Sequence, residues 1–267
     1  MMLESKKRVL VFALVGLILL IAGSYIAVDW MIFLFGIETI YAGVAKPVTS
    51  LICLILVVLV GRDGIDRRDT LLLLIAFACI VPVDVLMSLV VFSPNMSVAS
   101  PAFMIGGVLS IIAHLLLIVR HGRGFPYLRS QFRRERGMTA AWSFLWLPVL
   151  LGASFMAAVV PLLEPMVQVG HLLLGLVYSS VVAISMWVAW ETVRFELYPR
   201  HNAWMVSIAM TCWFITEVLG ETYNVQHGLI SDVAFNFVWI FYGTTILCLA
   251  LSGYLWGPGK SSTSRSG

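Results

Sequence analysis

Apolar runs long enough to cross a lipid bilayer recur eight times along the chain, at about 9–28, 39–60, 70–92, 100–119, 141–163, 167–192, 203–223 and 233–256. Roughly 20 apolar residues in a helix suffice for one crossing, so the pattern predicts an all-α polytopic membrane protein of eight transmembrane helices. The polar segments between the runs alternate in charge. Lys6, Lys7 and Arg8 precede the first run, and Arg62, Arg67 and Arg68 follow the second. Arg120, Arg123, Arg129, Arg133, Arg134 and Arg136 follow the fourth, Arg194 and Arg200 the sixth, and Lys260 and Arg265 lie in the tail. The four alternate loops hold no Lys or Arg. Basic residues stay on the cytoplasmic side, which predicts that both termini are cytoplasmic.

The first run is long for a signal peptide and seven more follow, so it reads as an uncleaved helix. Residues 1–256 are expected to form a single transmembrane domain. The Gly/Ser-rich residues 257–267 are expected to form a disordered cytoplasmic tail. The loop from Arg120 to Gly137 mixes Phe125, Tyr127, Leu128 and Phe132 with its six arginines. It is either a topogenic charge cluster or a short helix lying on anionic lipid.

Composition narrows the function classes. Only 12% of the 267 residues are charged and 60% are hydrophobic, against roughly 25% charged in soluble domains. Spans and short loops consume the length and leave no room for a soluble catalytic domain. Topology accounts for the net charge of +3, so no nucleic-acid partner is expected. Cys53, Cys79, Cys212 and Cys248 all fall inside spans without Cys-x-x-Cys spacing. They read as packing residues, with no disulfide framework or metal site.

Charge inside the spans supplies the candidate chemistry. Of the 17 Lys and Arg, 16 are assigned to loops or tails, and Lys46 alone sits within an apolar run, in Ala45-Lys46-Pro47. Asp84, in Val83-Asp84-Val85, is the only acid of the next run. A charge at bilayer depth costs several kcal/mol unless paired or hydrated, which makes such residues functional candidates. Counting residues from the outer edge places Lys46 about 10 Å deep, Asp84 about 12 Å and Glu217 about 9 Å. Three ionisable groups therefore share one layer in the outer half. Glu217, Glu221 and Asn224 form an i, i+4, i+7 stripe, as do Asp232, Asn236 and Trp239 on the last run. The expected result is a polar cavity opening outward. A short internal echo relates Cys79 and Asp84-Val85-Leu86 to Cys212 and Glu217-Val218-Leu219 at the same spacing. A parallel repeat of four plus four spans would bring these segments into correspondence.

Two carboxyls and one ammonium in a low-dielectric pocket cannot all be ionised cheaply, because a net negative charge is left over. The cheaper state keeps Lys46 protonated, one carboxylate ionised against it and the other carboxyl neutral. A buried proton donor beside an anion suits acid-catalysed cleavage through an oxocarbenium-like state. Structural alternatives exist for each group: Lys46 snorkelling to the interface, Asp84 as its structural partner, and Glu217 facing water. The chain has no nucleophile elbow, no His-Glu-x-x-His and no phosphate-binding glycine loop, which disfavours serine or zinc hydrolysis.

These residues resemble the YhhN/lysoplasmalogenase family of eight-span membrane proteins over roughly spans two to eight. Ala45-Lys46-Pro47-Val48-Thr49 is similar to the family's Lys-Pro motif, and Val83-Asp84-Val85-Leu86-Met87 to its Gly-Asp segment. Phe103-Met104-Ile105-Gly106 through Ala113-His114-Leu115-Leu116 resembles its span-four pattern ending in Ala-His. Val177-Tyr178 with Met186, Phe214-Ile215-Thr216-Glu217 and Phe241-Tyr242-Gly243 resemble its later segments. The chain departs from the pattern at Val83 for Gly, Thr216-Glu217 for Ser-Asp, Leu117 for Tyr and Thr245 for Gln.

The resemblance implies hydrolysis of the vinyl ether bond of lysoplasmalogens to a fatty aldehyde and a glycerophospho-headgroup, without a cofactor. Asp84 and Glu217 are then the expected catalytic pair. Lys46, His114, Tyr178, Glu221, Asn224 and Tyr242 are expected to bind substrate. The expected partners are a lysophospholipid-like substrate and membrane lipid, and the expected location is a bacterial inner membrane. The rival expectation is a lipid-binding protein or a proton-coupled transporter built on the Lys46–Asp84 pair.

Overall fold

A computed structural model describes residues 2–36, 41–61, 64–92, 96–122, 138–161, 163–168, 170–225 and 229–254. For Glu221, Asn224, Asp232 and Asn236 it describes the backbone alone. The expected interfacial helix beyond Gly122 and the expected disordered tail lie outside these residues.

The described chain is helical: α1 (Met2–Phe35), α2 (Tyr41–Val60), α3 (Arg67–Phe92), α4 (Met96–His121), α5 (Met138–Ser154), α6 (Leu163–Gln168), α7 (Leu172–Arg194), α8 (Arg200–Val225) and α9 (Leu229–Leu251). Helices α1, α2, α3, α4, α7 and α8 contain stretches long and apolar enough to cross a membrane. Two further apolar helical stretches are shorter, Leu145–Ala157 in and after α5 and Phe237–Leu251 in α9. The fifth expected run changes character partway. A π-helical turn, Phe155–Val159, ends α5, and the run stops before α6. The sixth expected run begins too early, because Gly170 takes a positive φ of 74° and α7 starts only at Leu172. Glycine adopts that conformation without the Cβ clash other residues meet.

Helices α2, α3, α4, α7, α8 and α9 follow one another by side-by-side contact, and α9 returns to α2. Helix α1 packs outside this circuit on α2 and α9, and α5 packs outside it on α7. The pairs α1–α2, α2–α3 and α3–α4 have counterparts in α5–α7, α7–α8 and α8–α9, whereas the contact of α1 with α9 has none between α5 and α4 at comparable strength. The packing stripes explain the arrangement. On α3 the buried positions are Asp69, Leu73, Ala76, Phe77, Ile80 and Asp84, which is helical periodicity on one face. On α2, Ala45, Thr49, Cys53, Leu56 and Val60 do the same.

Apolar side chains cover the exterior as well as filling the core, with a set of polar groups buried among them. Leu19, Leu20, Leu51, Val58, Ile105 and Leu115 are exposed, while Ser50, Asp84, His114, Arg120, Asn202 and Thr245 are buried. An apolar exterior suits lipid, and interior hydroxyls join helices across their contacts. Ser207 Oγ donates to the Ala189 carbonyl at 2.8 Å, Thr245 Oγ1 to the Ala209 carbonyl at 3.1 Å and Ser154 Oγ to the Ser179 carbonyl at 3.2 Å. Cys53 is fully buried in the main core.

One basic residue assigned to a loop belongs to the interior. Arg120 lies in the last turn of α4 and is fully buried. Its Nη2 meets Asp69 Oδ2 at 2.8 Å, and its Nη1 donates to Ser252 Oγ at 2.9 Å. Tyr198 donates to Asp69 Oδ1 at 2.7 Å or to the Arg120 carbonyl at 2.7 Å. Asn202 Nδ2 donates to the Ser252 and Tyr254 carbonyls, each at 2.7 Å. A buried guanidinium needs such partners, and these tie the ends of α3, α4, α8 and α9 to the α7–α8 turn.

Candidate functional site

Each helix of the six-membered circuit carries at least one residue of the expected constellation: Lys46 on α2, Asp84 on α3, His114 on α4, Tyr178 on α7, Glu217 with Glu221 and Asn224 on α8, and Tyr242 on α9. The structure gathers those with described side chains into two carboxyl-centred halves.

Asp84 sits at the end of the α3 core stripe and is 1% exposed. Lys46 Nζ lies 3.4 Å from its Oδ1. Its Oδ2 accepts hydrogen bonds from Ser50 Oγ, one turn below Lys46 on α2, and from the Tyr242 hydroxyl at 2.5 Å. The Lys46 ammonium also lies over two rings, 5.0 Å from the centre of Trp239 and 4.6 Å from that of Tyr242. An ammonium held by a carboxylate and two ring faces is well compensated at this depth. The snorkelling alternative for Lys46 does not describe this geometry, since the amine turns inward to Asp84.

Glu217 has different partners. The Tyr178 hydroxyl donates to its Oε1 at 2.6 Å and Trp213 Nε1 donates to the same oxygen at 3.0 Å. Trp213 is one turn before Glu217 on α8, so the helix itself presents the indole N–H. Among the described residues nothing donates to Glu217 Oε2. His114 is fully buried against these two donors, its ring 4.4 Å from Trp213 and 5.9 Å from Tyr178 between centres. Among the described residues neither of its ring nitrogens has a hydrogen-bond partner. The two halves touch through Trp213 and Tyr242, whose rings meet nearly edge to face at 6.5 Å.

A narrow cleft with a cavity volume of about 20 Å³ reaches the site between α1, α2 and α9. Its walls include Ala22, Tyr25, Lys46, Thr49, Trp239 and Tyr242. Lys46 and Tyr242 therefore stand between the cleft and Asp84. Glu217, His114 and Tyr178 do not line it. The side chains of Glu221 and Asn224 lie outside the described ones, as do those of Asp232 and Asn236. Among the described residues no group of His, Cys, Asp and Glu is arranged to hold a metal ion.

Three residues of the site were not singled out from the sequence. Ser50 lies on the α2 stripe one turn from Lys46, and helical spacing carries that signal. Trp213 precedes Glu217 by four residues, a spacing equally readable. Asp29 lies just past the first expected run, yet α1 continues to Phe35. Val11, Ile18, Tyr25 and Asp29 are its buried residues, so Asp29 belongs to the packed face of α1. No protein-family profile, curated protein or solved structure matches this chain significantly.

Proposed function

We propose that the protein is an integral membrane hydrolase that cleaves the vinyl ether bond of lysoplasmalogen-like lipids, with eight membrane spans and both termini cytoplasmic. The observation that carries this reading is the asymmetry of the two carboxyls. Asp84 is matched by an ammonium and two hydroxyls, which suits a standing anion. Glu217 accepts two neutral donors on one oxygen and keeps the other for a proton.

In the proposed reaction Glu217 gives that proton to the alkenyl carbon farther from the ether oxygen. The oxygen-bearing carbon becomes an oxocarbenium ion, and Glu217 becomes a carboxylate. Tyr178 and Trp213 already point at the oxygen where the negative charge develops, so they stabilise the transition state without rearranging. Asp84 places a fixed negative charge on the same layer. Water adds to the cationic carbon and returns a proton to Glu217. The hemiacetal then collapses to an aldehyde and the free glycerol hydroxyl. General-acid assistance of this kind contributes on the order of 10²–10⁴-fold. The test is aldehyde release from a lysoplasmalogen by purified wild-type, Glu217→Gln and Asp84→Asn proteins. A wild type without product, or two variants as fast as the wild type, removes this activity.

One observation favours a second reading. Asp84 is closed off by three partners and does not line the cleft, which fits a lipid-binding protein stabilised by a structural ion pair. Such a protein gains thermal stability on adding lysolipid and releases no aldehyde.

A further inference from the structure

Asp29 is a buried charge for which the hydrolytic mechanism has no use. It is 8% exposed, and its Oδ2 is buried without any hydrogen-bond partner. An unsatisfied buried carboxylate oxygen is costly, and among the described residues nothing donates to this one, which leaves it open to a donor brought by a ligand. Ala22, Tyr25 and Asp29 follow i, i+3, i+7 on α1, which puts them on one face. Ala22 and Tyr25 are walls of the cleft, and Asp29 lies beyond its lining on the same α1 face, about 6 Å past Tyr25 towards the α1–α2 connection.

Aromatic pairs lie along the α1–α9 seam near Asp29 in sequence. Tyr25 meets Trp239 edge to face at 4.8 Å, and Trp30 meets Phe237 at 6.1 Å. Farther in, the cleft already holds one ammonium, that of Lys46, over Trp239 and Tyr242. An anion near aromatic rings is complementary to an organic cation. The orphaned oxygen makes the selection finer. A primary ammonium brings three N–H donors, whereas a quaternary ammonium brings none and is bulkier.

We propose that Asp29, with Tyr25 and Trp30, forms a subsite for a primary ammonium group, and that this subsite selects an ethanolamine-type lysolipid headgroup over choline-type and anionic ones. The lipid nature of the ligand rests on the hydrolase reading above; the ammonium site rests on the α1 face beside the cleft. The order from the α1–α2 connection inward, Asp29 and then Lys46, suits an ammonium followed by a phosphate.

Binding to the full chain in detergent tests it, measured by tryptophan fluorescence with acyl lysophosphatidylethanolamine, lysophosphatidylcholine and lysophosphatidylglycerol. None of these contains a vinyl ether, so binding is read whether or not the protein is a hydrolase. The wild type is expected to bind the ethanolamine lipid at least about tenfold tighter than the other two, equivalent to about 1.4 kcal/mol. Asp29→Asn is expected to bring the three within about threefold of one another. Equal affinities in the wild type overturn the proposal, as does a preference that survives in Asp29→Asn. Should Asp29→Asn fail to fold, competition by free phosphoethanolamine but not phosphocholine on the wild type decides the matter in the same sense. A preference without aldehyde release from lysoplasmalogen keeps the subsite and discards the hydrolase.

Discussion

Trp213 and Tyr242 meet nearly edge to face at 6.5 Å, and each donates a hydrogen bond to a different carboxyl group, Trp213 to Glu217 and Tyr242 to Asp84. One aromatic contact thus couples two acids carried on α3 and α8. A change at either ring is felt at both. Trp213→Phe removes the N–H but keeps a ring, and is expected to lower aldehyde release about tenfold or more with little change in KM. Tyr178→Phe removes the other donor to Glu217 Oε1 and is expected to act similarly. Steady-state kinetics on the two variants check this, and an unchanged kcat in both sets aside the role given to Oε1.

Lys46 and Asp84 should behave as a coupled pair in stability. Removing one partner of a buried pair leaves an uncompensated charge and typically costs about 3–5 kcal/mol. Lys46→Met and Asp84→Asn are each expected to lower the unfolding temperature. The double variant should lose much less than the sum of the two, since neither leaves the other stranded. Thermal unfolding of all three in one detergent gives the coupling; strict additivity contradicts the pair.

Among the described residues His114 has no hydrogen bond to lose. Leucine at this position removes two buried nitrogens that nothing satisfies, so His114→Leu is expected to unfold no earlier than the wild type. If the ring nitrogens meet substrate or water, the same variant raises KM or lowers kcat. A variant both less stable and fully active contradicts the geometry.

Arg120 is expected to tolerate no substitution. Arg120→Leu strands Asp69, and Arg120→Lys keeps the charge but not the fork that reaches Asp69 and Ser252 together. Both should destabilise, Arg120→Leu by about 3–5 kcal/mol. Chemical unfolding, or expression yield where unfolding cannot be followed, measures the difference.

Topology has its own check. Reporters fused before Met2 and after Gly267 are expected to report the cytoplasmic side, and a reporter inserted at 226–228 the opposite side. Opposite results for the two termini require an odd number of spans.

The sequence made the central pair legible because bilayer depth is written in simple residue counts: Lys46 and Asp84 stand out from uniformly apolar runs, and counting from the same edge brings them level. Of the other residues expected with them, Tyr242 meets this pair, while Glu217 and Tyr178 form a separate half joined to it through Trp213. Asp29 was hidden by the rule that found the others. It lies just past an apolar run, and only the continuation of α1 through Phe35 turns it from a loop residue into a buried one. Arg120 was misplaced for a related reason, since an arginine at a helix end looks like any topogenic charge until its partners Asp69, Tyr198 and Ser252 are brought from 51, 78 and 132 residues away. Ring contacts such as Trp213–Tyr242 depend on helix rotation, which periodicity leaves open.

The Arg120 knot also has a mechanical meaning. It fastens one rim of the bundle through α3, α4, α8, α9 and the α7–α8 turn. A cut at any one of Asp69, Tyr198 or Ser252 is therefore expected to slacken several helix ends at once rather than one.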